Sequence, residues 1–396
     1  MRVLVTDSDS RSALAATRAL GRCGHTVFTA GEHPQSIAVV SRYSAGFAPY
    51  PAPSKHPREF VAAIAEAAAR LEIDVVLPTT EITTLLLTRH AALLPAGTRL
   101  PFADPAVVES AANKATVLEL ADACGIPIPR TEVLRTAQDV EKLHCWSSYP
   151  AVLKPARSRV MTERGWISLG VHYAHSADEA ITILRQLAPE AYPVLLQERI
   201  RGAGTGVFTC MAGGQPLVWF AHERLREKPP SGGVSVLCRS VLPEPLAVRY
   251  SQQLLERLGW QGVAMVEFKR DDRDGSLRLM EINGRLWGSL QLAIDAGVNF
   301  PRMMVELAAG RAPAPVESYR LGVKSRWLWG DISALLVQLL RKREHLNLPA
   351  NHPGRWRALW NFLHLWGRDM NYEMERPGDL APAWLETRRA LFGTRR

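Results

Sequence analysis

Cysteine is scarce in this 396-residue chain. The five present, Cys23, Cys124, Cys145, Cys210 and Cys238, are odd in number and scattered, with no CxxC pair and no Cys/His cluster at metal-ligand spacing. That spacing excludes a disulfide framework and a structural zinc centre. Long apolar runs are missing too: none approaches the roughly 18 residues of a membrane-spanning helix. The opening, Met1-Arg2-Val3-Leu4-Val5-Thr6-Asp7, places an acid where a secretory signal needs about 7 to 15 apolar residues. A reduced, soluble, cytoplasmic protein is the expectation. No GxGxxG follows the first apolar stretch, where Asp7-Ser8-Asp9-Ser10-Arg11 stands instead, which disfavours a dinucleotide site. Acidic residues fall short of basic ones, 39 against 48, for a net charge of +9. Such an excess suits nucleic acid, a membrane surface or anionic small molecules. The chain has no long basic run and nothing resembling a helix-turn-helix, zinc finger or RNA-binding motif, so no nucleic-acid partner is expected. Hydrophobic residues at 47% and charged ones at 22% are those of a folded globular chain, and the length suggests two or three domains.

Strand and helix signals alternate from the start. Residues 3–7 read as a buried strand, 12–21 as a helix, 26–30 as a strand, 59–71 as an Ala-rich helix and 74–78 as a strand. This alternation predicts a mainly parallel α/β sheet. Ligands on such sheets lie beyond the carboxyl ends of the strands, which marks the loops Asp7 to Arg11 and Thr79 to Glu81 as substrate-facing or, equally, as helix caps and solvated turns. Asp104-Pro105 reads as an N-cap and first helical residue of a helix running to Gly125. Beyond Pro129 the pattern becomes mixed, with strands at 151–154 and 194–198 and a helix at 178–187. Two more strands, 262–269 and 277–283, flank Asp271-Asp272-Arg273-Asp274-Gly275, a hairpin signal. After Pro315 the chain is rich in tryptophan, with Trp327, Trp329, Trp356, Trp360, Trp366 and Trp384.

The hairpin carries the most chemical information. With a turn centred near Asp274, Glu267 lies opposite Glu281. Side chains alternate along a strand, so Glu281 and Asn283 share a face and Ile282 points away. Two carboxylates and an amide then converge. Opposed like charges are unfavourable on a sheet, and a divalent cation between them resolves the conflict; hard oxygen donors suit Mg²⁺ bound to phosphates. An exposed hairpin with two solvated acids is the plainer reading. Lys154 ends an apolar strand and suits a phosphate, or is simply a surface lysine. Gln197-Glu198-Arg199-Ile200 closes another apolar strand and leads into Gly202-Ala203-Gly204-Thr205-Gly206.

Taken in order, Lys114, Lys154, Gln197-Glu198, Arg239, Glu267 and Glu281-x-Asn283-x-Arg285 resemble the ATP-grasp superfamily, over about residues 1 to 312. The runs His222 to Glu227, Pro229-Pro230-Ser231-Gly232-Gly233 and Glu281 to Ser289 resemble the bacterial carboxylate-amine ligases within it. The resemblance implies an α/β pre-ATP-grasp domain at 1–103 with a Rossmann-like sheet. An α+β ATP-grasp domain follows at 104–312, with a small lobe near 115–198 and a large lobe near 199–312; a Trp-rich, mainly helical extension occupies 313–396. It also implies that Lys114 and Lys154 contact ATP phosphates and that Gln197, Glu198 and Ile200 read adenine. Glu267, Glu281 and Asn283 would hold Mg²⁺, with Mn²⁺ as a substitute. Arg239 would neutralise the transferring phosphoryl group, and Arg285 would hold the acyl phosphate or substrate carboxylate. Asp7, Glu81 and Arg224 are substrate-site candidates. The lid after Lys154 departs from the pattern: Ala156 to Gly165 has one glycine and offers Arg157, Arg159 and Arg164 instead. No acid for the ribose stands in Gly202 to Gly206.

The implied function is an ATP-dependent ligase that phosphorylates a carboxylate and couples it to an amine, with small-molecule substrates and a homo-oligomeric state. A catalytically silent ATP-binding scaffold is the alternative. In the tail, Ala334 to Leu340 followed by Arg341-Lys342-Arg343 reads as a helix packed on the catalytic domain or at a dimer interface, or as a membrane-surface contact. His172, His175, Cys210 and Cys238 read as structural residues.

Overall fold

The computed structural model describes the chain except for residues 158, 163–164, 169, 231, 342–345, 347–352, 365–366, 368 and 394–396. Arg164, Ser231, Lys342, Arg343 and Trp366 therefore lie outside the described residues.

Strands β1 (Arg2–Val5), β2 (Thr26–Gly31), β3 (Ser44–Pro49) and β4 (Val75–Leu77) form a parallel sheet in the order β3-β2-β1-β4. Val3, Leu4 and Val5 are all buried, as expected of a strand covered on both faces. The covering helices are α1 (Arg11–Arg22), α2 (Pro57–Arg70) and α3 (Glu81–Arg89). Ser10 caps α1 by accepting the Ala13 N–H at 3.1 Å.

The segment from 105 to 125, read above as one helix, is two: α4 (Pro105–Ala112) and α5 (Lys114–Ala123). Asn113 leaves helical geometry at φ −97° and ψ 105°, and its side-chain oxygen accepts the Ala115 N–H at 3.1 Å, capping α5. The break places Lys114 on the first turn of a new helix.

A second, antiparallel sheet has the order β5-β10-β6-β9, built from β5 (Thr131–Leu134), β6 (Ala151–Pro155), β9 (His172–Ala174) and β10 (Val194–Glu198). Leu134, Leu153 and Leu196 pack it against α6 (Ala177–Gln186) through Ala180 and Leu184. Between β6 and β9, the hairpin β7 (Arg159–Thr162) and β8 (Gly165–Ser168) leans on the first unit, where the Trp166 N–H donates to the Ser54 carbonyl at 2.6 Å.

The third sheet has seven strands in the order β15-β14-β11-β12-β13-β16-β17: β11 (Gly204–Ala212), β12 (Gln215–Lys228), β13 (Val234–Val241), β14 (Gly262–Arg270), β15 (Leu277–Asn283), β16 (Lys324–Arg326) and β17 (Met370–Tyr372). Val207, Val266 and Phe268 face α7 (Pro245–Leu258); Phe208, Phe220 and Met265 face the layer of α8 (Leu290–Ala296) and α9 (Phe300–Ala308). Among the described residues the C-terminal segment contributes α10 (Leu328–Leu340), α11 (Arg355–Leu363) and α12 (Ala381–Phe392), together with strands β16 and β17 at one edge of this sheet. Among the described residues no helix is long and apolar enough to cross a membrane.

Buried ion pairs fasten the C-terminal segment to the rest. The Arg18 Nε donates to Asp379 at 2.7 Å, and its other nitrogens donate to the carbonyls of Glu373, Met374 and Asp379. Asp379 also accepts from Ser41 and the Arg42 N–H. Arg326 and Arg226 share Asp331 in the same way.

Candidate active site

Glu267 of β14 pairs directly with Glu281 of β15, the register that the turn position predicts. A bulge follows, so Phe268 lies opposite Leu279. Ile282 is buried in the core under α7, while Glu281 and Asn283 stand on the open face. Gly284 locks the end of this strand: a Cβ there would come within 2.3 Å of the Trp260 ring, so only glycine lets the Asn283–Arg285 stretch lie this close to it.

The Asn283 Nδ2 donates to both carboxylates, at 3.2 Å to Glu267 and 3.0 Å to Glu281, and so occupies the position between them where a cation would be favourable. Its Oδ1 accepts from Arg285 at 3.3 Å. Two carboxylates and one amide are a hard donor set that fits Mg²⁺, with the amide turned to present its oxygen. Among the described residues no group of three or more His, Cys, Asp or Glu converges to hold a metal by itself; an ion here would need water or phosphate oxygens as well.

Cations surround the pair. Arg224 of β12 donates to Glu267 at 2.9 Å and to Glu227 at 3.2 Å. Lys114 reaches Glu281 at 3.3 Å. Burial raises the Glu267 carboxyl above its ordinary range, with the Glu281 charge adding to this against the pull of Arg224. Burial opposes ionisation of Glu281 as well, but Lys114, the Asn283 amide and Lys154 outweigh it and hold that carboxyl low. Lys154 is buried in β6, facing the same charges from the second sheet. Burial pushes its ammonium down to about 8; Glu281 holds it up against Lys114 and Lys269.

The other sequence candidates are placed as follows. Gln197 is buried and donates to the Thr131 hydroxyl at 2.8 Å, within the second sheet. Glu198, at the end of β10, accepts the Arg130 N–H and pairs with Arg273 at 2.9 Å. Ile200 is buried beside them. Arg239 is not brought to the carboxylate pair. It lies opposite Glu223 and forms an ion pair with it, one residue out of phase with Cys238, which lies opposite Arg224. Alternation therefore puts Arg239 on the other face of the sheet from Arg224 and Glu267. Asp7 sits in the left-handed region at φ 56° and accepts from Thr6, Thr79, Thr80 and Thr83, so its carboxylate organises the loop that leads into α3. Glu81, first residue of that helix, lines a cleft together with Lys114, Glu281, Asn283 and Arg285. Arg11 of the first loop turns away, to Glu373 at 2.7 Å and over the Trp327 ring.

Sequence reading passed over Lys269, whose Nζ donates to the Ile200 carbonyl at 3.4 Å. Its signal was available, since it stands two residues beyond Glu267 on the same face. It also passed over the cleft residues Thr84 and Leu85, which carry no chemical signature.

A family profile described as "ATP-grasp in the biosynthetic pathway with Ter operon" matches residues 190–329. Among curated proteins no sequence match is found. The fold is similar to that of biotin carboxylase from Campylobacter jejuni in a β-γ-ATP complex, at TM-score 0.65 and 17% identity over 81% of this chain and 74% of that one. It is also similar to L-amino acid ligase from Bacillus licheniformis, at TM-score 0.59 and 17% identity over 78% and 73%. A third likeness is to the biotin carboxylase domain dimer of Hydrogenobacter thermophilus 2-oxoglutarate carboxylase with MgADP, ADP and bicarbonate, at TM-score 0.62 and 15% identity over 82% and 73%. In its sheets and the cleft between them the chain has the fold of these enzymes, and its residues 190–329 match an ATP-grasp family model.

Proposed function

We propose that the chain is an ATP-dependent ligase that phosphorylates a carboxylate and transfers the acyl group to an amine. The observation that carries this reading is the convergence of Lys114, Lys154, Arg224 and Arg285 on the Glu267–Glu281–Asn283 set. Phosphoryl transfer needs little covalent chemistry from a protein and much positioned charge, which is what this cleft offers.

In this reading Lys114 and Lys154 hold the triphosphate, and Gln197, Glu198 and Ile200 line the adenine edge. Glu267, Glu281 and Asn283 would hold Mg²⁺, which supplies charge neutralisation for the phosphate oxygens. A carboxylate oxygen of the substrate, oriented by Arg285, attacks the γ-phosphorus, and the bond to ADP breaks. The amine nitrogen then adds to the acyl carbon, loses its proton, and phosphate departs. Arg224, already on the Glu267 carboxylate, takes the charge-neutralising part that sequence order gives to Arg239, because Arg239 faces away. The domain limits at about 103 and 312, with a lobe boundary near 198, are part of the same proposal.

The test is release of ADP by the purified protein with Mg·ATP and a panel of carboxylates and amines. Release that depends on both partners and falls at least about 10²-fold in Glu281→Ala is expected. Full activity in that variant would refute the reading, and nucleotide binding with no release for any pair would favour a silent scaffold.

A further inference from the structure

The cleft has a second wall that the phosphate chemistry does not use. Besides Lys114, Glu281, Asn283 and Arg285, the cleft is lined by Glu81, Thr84 and Leu85 of α3 and by Val108, Ala111 and Ala112 of α4. Glu81 is half-buried, and among the described residues its carboxylate has no hydrogen-bond or ion-pair partner. The other acids of the cleft are already paired, Glu281 with Lys114 and Asn283 and Glu267 with Arg224 and Asn283. Asp7 fixes the position of Glu81 indirectly, by holding Thr79, Thr80 and Thr83 around the start of α3.

A partly desolvated carboxylate calls for a cation. A divalent metal needs several oxygens at once, and this wall supplies one carboxylate: the Thr84 hydroxyl already donates to the Thr80 carbonyl at 2.7 Å, and the remaining groups are apolar. A lone acid set in a wall of Leu85, Val108, Ala111 and Ala112 matches an ammonium group on a short aliphatic chain. We infer that Glu81 and this wall bind the amine substrate as a protonated aliphatic primary amine, whose ammonium passes one proton to the Glu81 carboxylate so that the freed nitrogen lone pair can attack the acyl carbon. The inference rests on the ligase reading of the cleft and names the class of its second substrate. It also gives the first unit a part in the chemistry: α3 would deliver the amine alongside the residues that hold the acyl phosphate.

The probe is n-butylammonium, with n-butanol as its uncharged counterpart, each titrated by ligand-observed NMR into the full-length protein saturated with Mg·ADP. Binding of the ammonium in preference to the alcohol is expected. Glu81→Gln should weaken it at least about tenfold, the loss of one hydrogen bond to a charged group, and Glu81→Asp should retain part of it. Mg·ADP affinity and thermal stability should be the same in all three proteins, which separates this result from failure of the nucleotide site or of folding. Equal binding of alcohol and ammonium, no binding of either, or unchanged ammonium binding in Glu81→Gln would overturn the inference.

Discussion

Two clusters in this molecule use the same side chains to opposite ends. At the seam between α1 and the C-terminal segment, Arg18 and Asp379 are almost fully buried, and every nitrogen of Arg18 has an oxygen partner. In the cleft, Arg224, Lys114, Glu267 and Glu281 are partly open, and two carboxylates stand side by side with only an amide between them. The Arg18–Asp379 pair is saturated and has nothing left to offer a ligand. The cleft holds unresolved like charge and a lysine pushed toward neutrality, features that cost stability and that, in the proposed function, phosphates and a metal would make favourable. Arginine and carboxylate content alone does not mark a site; incomplete pairing does.

The contrast breaks most visibly at the seam. Arg18→Ala leaves Asp379 without its buried counter-charge and the carbonyls of Glu373 and Asp379 without a donor, and unfolding free energy by urea titration should fall by about 3–5 kcal/mol, the usual cost of removing one partner of a buried pair. A loss below about 1 kcal/mol would show that the pair is not saturated in solution. In the cleft the effect should appear in binding. Lys154→Met should weaken Mg·ATP affinity about 10- to 100-fold, the range for a hydrogen bond to a charged group. In the wild type that affinity should decline above about pH 8, because the ammonium that attracts phosphate loses its proton there. Lys154→Met should lack that decline, and calorimetry at several pH values reads both effects.

The smallest expected effect lies in the C-terminal segment, at Glu386 of α12. Burial raises this carboxyl to about 7, against the hydrogen bond from the Trp327 indole. The folded state then keeps a proton that the unfolded chain loses from about 4.5 upward. Stability from this group is fully present below that value and is lost progressively as pH rises to about 7. A melting-temperature series from pH 5 to 8 should show a steeper fall for the wild type than for Glu386→Gln. Parallel curves would contradict the assignment.

Much of this was legible in the sequence. Apolar strands alternating with helices gave the first sheet, and the Asp-Gly turn between two alternating strands placed Glu267 opposite Glu281. The remainder was hidden for physical reasons. Asn113 looks unremarkable inside a helical run, yet its capping bond splits the run in two. The strand Lys324–Arg326 has two cations in three residues and no alternation to reveal it, because Arg326 is buried on Asp331. Arg18 reads as a solvated helix position until its partner, 361 residues on, is known. Arg239 occupies the right place in the order of residues, but the face it takes depends on the pairing phase of β12 and β13, which sequence order does not encode.

The claim that matters most is that the opposed carboxylates bind nucleotide through a metal. Isothermal titration of a non-hydrolysable ATP analogue, with and without Mg²⁺, into the wild type and Glu267→Gln tests it directly. Metal-dependent binding that weakens at least about tenfold in the variant, with no change in melting temperature, is the predicted result. Equal binding without Mg²⁺, or equal binding by the variant, would contradict it.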